Sequence, residues 1–434
     1  MASAAGERFE RLSTADASNI AIDAPDQVNA FLMAGVLAPG GPVADDGSVD
    51  IDALRSALAE RVPRAKRLGQ RVRRDGRSLV WEPVALDLAQ HVRVVEPVDG
   101  LVGLESRCAH FIVTPLPPDR PLWELLVVPG VAPARAGVIL RIHHAMADGY
   151  AAVRIAEVLF DPMDASGADT AETRPTNPQT VVSVRSPARR SPLKAQLRML
   201  ASGVRRTATM LVRRVPRTVL LGRIGPRRAV GFVDIDLTEL SAGAHAARAT
   251  VNDALLVAVV AAAKAALLAR GDAVPETLST SVPVALPERG DSGNAVGVML
   301  VQLPTRETDL AERLRLVAGL TRTAKQDARS RGTFELTRTR VGARLFMRLA
   351  RHQRLIVTFV SNVPGPRHPL ALAGARLERL WPVTALQGNV RLGVTAISYD
   401  GVLRCAVHCD ADALDVAVLA AALRDELGRI AALA

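Results

Sequence analysis

Two adjacent histidines, His143 and His144, followed by Ala145-Met146-Ala147 and then Asp148-Gly149, are the residues of this chain best suited to chemistry. A neutral imidazole is the side chain whose ordinary pKa lets it accept a proton near pH 7, which is what activating an alcohol requires. Val138 to His143 reads as an apolar strand and Tyr150 to Phe160 as a helix, so the pair stands at a strand end before a turn. Successive strand side chains point to opposite faces. If the strand runs through both histidines, one therefore faces a cavity while the fold holds the other. Asp148 could orient an imidazole, cap the following helix or pair with an arginine elsewhere. Gly149 relieves crowding where the loop turns into the helix and lets a substrate approach the backbone.

A single histidine is usually a satisfied structural residue, but a pair at a strand end followed by Asp-Gly inverts that expectation. A metal site is the other sharp reading, with His144 and Asp148 as ligands four apart. It is weakened because its remaining ligands would have to come from the scattered His91, His110 or His245, and no metal is expected. No Gly-rich phosphate loop ending in Lys-Ser or Lys-Thr occurs, nor a Gly-x-Ser-x-Gly elbow, which argues against nucleotide hydrolysis and triad hydrolysis.

The elements that must position the pair alternate in type. Asp52 to Arg61 has helical periodicity, Arg71 to Arg73 and Leu79 to Trp81 are extended about Asp75-Gly76, and Trp123 to Val128 is an apolar strand. Further on, Val230 to Leu237 reads as a strand. Thr250 to Arg270 reads as a long Ala-rich helix capped by Thr250 or Asn252. Val296 to Leu303 and Leu355 to Ser361 are strands, Arg391 to Ser398 and Val402 to Cys409 flank the hairpin signal Asp400-Gly401, and Asp412 to Ala431 is a terminal helix. The 434 residues are 49% hydrophobic but only 3% aromatic, so the core must be Ala, Val and Leu, which suits helices on sheets. The class expected is α/β or α+β. Its two halves would span residues 1–172 and 230–434, joined by a basic linker over 173–229.

The net charge of +11 resides in that linker. From Thr173 to Val233 there are fourteen Arg or Lys and no Asp or Glu, which leaves the rest of the chain at about −3. Leu197, Leu200, Val204, Ala208, Leu211 and Val215 fall on a narrow helical arc, with Arg198, Arg205, Arg206, Arg213 and Arg214 outside it. Such a helix either packs its stripe on a domain or lies on an anionic membrane or lipid droplet. No aromatic residues are interleaved to stack on bases, so no nucleic-acid partner is expected. Met1 to Asp16 lacks the apolar run of an export signal, and Lys264 interrupts the most apolar stretch, Ala254 to Ala263, short of a bilayer span. Cys405 and Cys409, four apart in a strand, are too distant to bridge, which suits a reducing compartment. A cytoplasmic protein, peripheral at most to the inner membrane face, is the expectation.

The run His143 to Gly149 resembles the HHxxxDG signature of bacterial wax ester synthase/diacylglycerol acyltransferases, within the larger chloramphenicol acetyltransferase-like group. Other segments resemble that family's elements in its order: Pro121-Leu122-Trp123-Glu124, Val251-Asn252-Asp253, Gly293-Asn294 with Leu303-Pro304, Ser361-Asn362-Val363-Pro364-Gly365-Pro366, and Ser398-Tyr399-Asp400-Gly401. The resemblance implies two chloramphenicol acetyltransferase-like domains with mixed sheets flanked by helices and a channel between them. It implies an enzyme, a cofactor-free O-acyltransferase with acyl-CoA as co-substrate, that esterifies a lipid hydroxyl: diacylglycerol to triacylglycerol, or a long-chain alcohol to a wax ester. His144 would be its base, and Asp148 chiefly structural.

Asn252, with Asp253, Asn294 and Asn362, would line the substrate site, and Pro121, Leu122 and Trp123 would shape the channel wall. Asn252 is either a polar group near the tetrahedral intermediate or a helix cap. Departures from the family pattern are Ser13-Thr14-Ala15-Asp16 for Ser-Pro-Leu-Asp, Gly297 for a serine, and Leu392-Gly393 for Leu-Asn. The alternatives are a condensation-like enzyme with a carrier-protein donor and a catalytically idle lipid-binding relative.

Overall fold

A computed structural model describes residues 9–24, 27–163, 215–285, 296–306, 309–331 and 347–434. Arg198, Arg205, Arg206, Arg213, Arg214 and Asn294 lie outside the described residues. The chain before Asp164 and after Arg214 forms one compact unit.

Two mixed sheets organise that unit. The first contains β2 (Ala30–Leu37), β5 (Val92–Val94), β6 (Trp123–Ala132), β7 (Arg135–His143), β8 (Asp161–Pro162), β13 (Leu370–Leu372) and β14 (Ala375–Thr384), in the order β5-β6-β7-β2-β14-β13-β8. Only β5 and β6 pair in parallel. β2 is buried at every position because neighbours cover both its edges and both its faces. One of those neighbours, β14, comes from the C-terminal part of the sequence. It pairs from Leu377 opposite Leu37 to Thr384 opposite Phe31.

The second sheet is built from β9 (Arg228–Asp236), β10 (Thr277–Ala285), β11 (Val296–Pro304), β12 (Thr358–Val363), β15 (Leu392–Tyr399) and β16 (Val402–Asp410), in the order β11-β10-β12-β15-β16-β9. β12 runs parallel to both its neighbours. β15 and β16 join through Asp400 (φ 50°) and Gly401 (φ 74°), the pair of left-handed residues that an Asp-Gly hairpin turn requires. A small third sheet, β1 (Glu10–Arg11), β4 (Ser78–Pro83) and β3 (Gln70–Asp75), stands at the N-terminal side.

Helices flank these sheets: α1 (Thr14–Ala21), α2 (Ile51–Ala59), α3 (Leu88–His91), α4 (Gly100–Phe111), α5 (Gly149–Leu159), α6 (Leu237–Ala246), α7 (Val251–Ala269), α8 (Leu310–Arg331) and α9 (Val416–Ala431). The fold is thus the expected α/β arrangement of mixed sheets with helices. α7 is the Ala-rich helix read over Thr250 to Arg270, with Lys264 inside it. The helix continues to Ala269, and by length and composition its 19 residues could cross a membrane. Here its apolar side chains are core. Leu255, Leu256, Val259, Ala262, Ala263 and Leu267 pack with β16 residues Leu403, Cys405, Val407 and Cys409 and α9 residues Leu419, Leu423 and Leu427. Cys405 and Cys409 are both free thiols in this core, on one face of β16 as their spacing predicted.

Candidate functional site

β7 delivers the two histidines into different settings because the strand stops between them. His143, its last residue, pairs with Ala30 of β2, and the His143 N–H donates to the Leu122 carbonyl at 3.0 Å. The residue is only 2% exposed and both ring nitrogens are used. The Ala145 N–H donates to Nδ1 at 3.0 Å, so Nε2 must carry the proton that it donates to Asp23 Oδ2 at 2.8 Å. This pair of bonds fixes the orientation of the ring.

His144 lies just beyond the strand and is half-buried. Its backbone is clamped from both sides: its N–H donates to the Asn29 carbonyl at 2.9 Å and its carbonyl accepts from Asn19 Nδ2 at 3.1 Å. The ring tilts against Phe31 at 5.0 Å between centroids. Burial pushes its pKa down from the ordinary value to about 4, helped by the neighbouring His143. The Asp23 carboxylate and a hydrogen bond from the ring to the Ala147 backbone oppose that shift only in part. At neutral pH the ring is an uncharged imidazole, and a neutral ring that donates at one nitrogen carries a lone pair at the other.

Asp148 takes the second of the three roles open to it. It is the N-cap of α5, its Oδ1 accepting from the Ala151 N–H at 2.9 Å. Gly149 is crowded by the C-terminal half of the chain rather than by its own loop, for a Cβ there would lie 3.1 Å from Val363 Cγ2. His91, the first of the three scattered histidines, is buried with Nδ1 on the Trp123 carbonyl at 2.7 Å, and His110 and His245 are exposed on α4 and α6. Among the described residues no three His, Cys, Asp or Glu side chains are placed to hold a metal ion.

The remaining sequence-derived residues separate into those near the pair and those that serve the scaffold. Pro121, Leu122 and Trp123 are buried beside the end of β7, and Trp123 sits opposite Ile142. Trp123 is fully buried, donates from Nε1 to the Leu68 carbonyl at 2.9 Å and stacks on His91 at 4.6 Å. Thr250, not Asn252, caps α7, which leaves Asn252 half-buried in the first turn. The Asp253 carboxylate is committed to the scaffold. One oxygen accepts from the Thr250 N–H and hydroxyl at 2.9 and 2.7 Å, and the other from the Thr321 hydroxyl at 2.6 Å.

Asn362 lies opposite Ala396 in the parallel pair of β12 and β15. The Pro364-Gly365-Pro366 turn that follows needs its glycine for close approach, since a Cβ at Gly365 would stand 1.8 Å from the Ser398 carbonyl oxygen. Of the departures from the family pattern, Gly297 lies opposite Val284 in β11, and Gly393 has ordinary space for a side chain, its nearest neighbour being Leu386 at 3.4 Å.

Sequence reasoning missed Asp23, Asn19, Asn29 and Gln387. These four form the polar frame around the pair. The Asn29 N–H donates to Asp23 Oδ1 at 2.7 Å, Asn29 Nδ2 donates to Asn19 Oδ1 at 3.1 Å, and Gln387 Nε2 donates to Asn29 Oδ1 at 2.8 Å. Gln27 and Gly388 exchange two further bonds, at 2.8 and 3.0 Å. The loop after β14 is thereby tied to the segment that holds His144. No motif marks these residues, and their partners are up to 361 positions away in sequence. The only available signal was a run of polar residues, Asn19, Asp23, Gln27 and Asn29, at the entry to an apolar strand.

With this geometry defined, comparison with known proteins assigns the fold to a family. The family model for the wax ester synthase/diacylglycerol acyltransferase catalytic domain matches residues 12–255, and that for the C-terminal domain of the same family matches residues 292–431. The chain belongs to the wax ester synthase/diacylglycerol acyltransferase family. It is an acyltransferase of that type, as its resemblance in the motifs implied. It is 30% identical over 457 aligned residues to the probable diacylglycerol O-acyltransferase tgs1 of Mycobacterium tuberculosis, covering 98% of this chain and 96% of that one. Among solved structures it is similar to the wax ester synthase/diacylglycerol acyltransferase of Marinobacter aquaeolei VT8, with a TM-score of 0.69, 22% identity, and coverage of 98% and 100%. A starter condensation domain of rhizomide synthetase shares the fold at a TM-score of 0.56 and 17% identity, over 98% and 94% of the two chains.

Proposed function

We propose that this acyltransferase esterifies a lipid hydroxyl, diacylglycerol before long-chain alcohols, with acyl-CoA as donor and His144 as the general base. The observation that carries the reading is the division of labour between the histidines. His143 is oriented by its two ring hydrogen bonds, one of them to Asp23, while His144 is held by its backbone with its ring kept uncharged by burial.

The imidazole of His144 removes the acceptor's hydroxyl proton as the oxygen attacks the thioester carbonyl. The new C–O bond forms, the tetrahedral intermediate collapses, the C–S bond breaks, and the proton held by His144 passes to the departing thiolate. Asn252 is the proposed donor to the oxyanion, with Asn362 lining the acceptor site. The chemistry needs no cofactor. The names of the relatives favour diacylglycerol as acceptor. The fourteen basic residues between Thr173 and Val233 favour work at an anionic lipid surface on the cytoplasmic side.

Incubation of the purified protein with radiolabelled palmitoyl-CoA and a panel of diacylglycerols and alcohols, followed by lipid chromatography, tests this reading. Labelled triacylglycerol is the expected main product. His144→Ala should lose transfer by roughly a hundredfold or more while keeping its circular dichroism spectrum. Near-normal turnover in that variant would remove His144 from the mechanism.

A further inference from the structure

A cleft of about 570 Å³ opens between α5 and the loop joining β12 to β13, a volume typical of a small-molecule site. Tyr150, Arg154 and Glu157 line it from the N-terminal half, and Pro366, Arg367 and His368 from the C-terminal half. Three observations point to its occupant. First, it begins where the histidine signature ends: a Cβ at Gly149, next to Tyr150, would lie 3.1 Å from Cγ2 of Val363, the residue before Pro364 of the opposite wall. Secondly, its exposed arginines, Arg154 and Arg367, make no ion pair among the described residues, whereas nearby Arg61 pairs with Asp161 and Arg376 with Asp400. Thirdly, the six residues from His144 to Tyr150 hold the near wall within at most about 21 Å of the histidine.

We propose that this cleft receives the phosphate groups of coenzyme A, with Arg154 and Arg367 clamping them from the two halves of the chain. The proposal rests on acyl-CoA being the donor. Coenzyme A presents a diphosphate and a 3′-phosphate at the end of its arm remote from the thioester. Planar guanidinium groups suit such oxygens through paired N–H donors. Anchoring the nucleotide at the cleft would let the arm run along the start of α5 and bring the thioester to His144. Glu157, on the same wall, opposes an anion. Its removal should therefore act in the direction opposite to removal of the arginines, a sign that a merely structural role would not produce.

Free coenzyme A binding is measured by calorimetry, and transfer is measured with palmitoyl-CoA and with S-palmitoyl-pantetheine, which lacks the nucleotide and its phosphates. The Arg154→Ala/Arg367→Ala variant should bind coenzyme A roughly tenfold or more weakly. Its preference for the CoA thioester over the pantetheine thioester, as a ratio of kcat/KM values, should fall by a similar factor. Glu157→Gln should tighten coenzyme A binding about two- to threefold. Unchanged coenzyme A binding in the double arginine variant, or an unchanged preference ratio, would overturn the proposal. Failure of the wild-type protein to bind coenzyme A would overturn it as well. If the wild-type protein transfers no acyl group but binds coenzyme A through these arginines, the cleft stands and the function proposed above falls. If it transfers acyl groups and the arginines prove irrelevant, the reverse holds.

Discussion

At the scale of single residues, the two histidines differ less in identity than in what surrounds them. Burial lowers the pKa of His144 to about 4, and Asp23 works against that shift. A base with that pKa is about nine-tenths neutral at pH 5, whereas an unperturbed imidazole at about 6.5 would be only a few per cent neutral. Initial rates should therefore show kcat/KM at pH 5 close to its value at pH 7, with the acid limb near pH 4. Asp23→Asn removes the charge that raises the His144 pKa and weakens the frame of Asn29 and His143. Its acid limb should move to lower pH and its kcat should fall on the order of tenfold. An acid limb that stays in place would show that Asp23 does not act on His144 electrostatically. Stability follows the opposite course to this tolerance of acid. His144 and the fully buried His408 both have folded pKa values near 4, below their unfolded value. Their contribution is complete above about pH 6.5 and is lost as pH falls toward 4, because the unfolded chain takes up protons first. The thermal midpoint should therefore drop between pH 7 and pH 5 while the folded enzyme keeps its rate.

At the scale of elements, the sequence reveals what local pattern can carry. The hairpin at Asp400-Gly401 and the strand leading into the histidines show their periods openly, as does the long helix α7. β2 was not legible because a strand buried on both faces does not alternate, and Ala30 to Leu37 is apolar throughout. β14 was hidden by Pro382, which sits inside a strand that nevertheless pairs along β2. The charged core of the first sheet was equally invisible. Glu124, the residue after the Pro-Leu-Trp element, lies opposite Arg141 across β6 and β7, and the two form an ion pair with 4% and 1% of their side chains exposed. Half-exposed Arg93 reaches the same carboxylate at 3.1 Å. Glu124→Gln keeps the shape but leaves Arg141 buried without its counter-ion, three residues before His144. It should cost about 3 kcal/mol in urea unfolding, and Arg93→Ala much less. Equal effects from the two would mean that burial does not set the strength of this pair.

At the scale of the molecule, the two halves suggested by the long basic linker are not independent. β14 is an interior strand of the first sheet, and Leu370, Leu372, Leu377, Leu380, Ile397 and Tyr399 complete the hydrophobic cluster built around Phe31, Met33 and Leu140. Phe232 of the second sheet stacks on Trp381 of β14 at 4.3 Å, and the Gln387–Asn29 bond joins the loop after β14 to the histidine frame. Residues 1–163 expressed alone would lack β13 and β14 and would expose one edge of β2, an apolar strand with unpaired backbone groups, and so should aggregate. The same segment co-expressed with residues 215–434 as a separate chain should be recovered as a soluble complex. That complex should unfold in one transition, because the missing strand and core residues are restored without a covalent connection. The site should be restored with them, since Asn29, His143 and His144 come from one chain and Gln387, Val363 and Arg367 from the other. A soluble, cooperatively folded 1–163 fragment would show instead that β14 is an accessory to a self-sufficient domain.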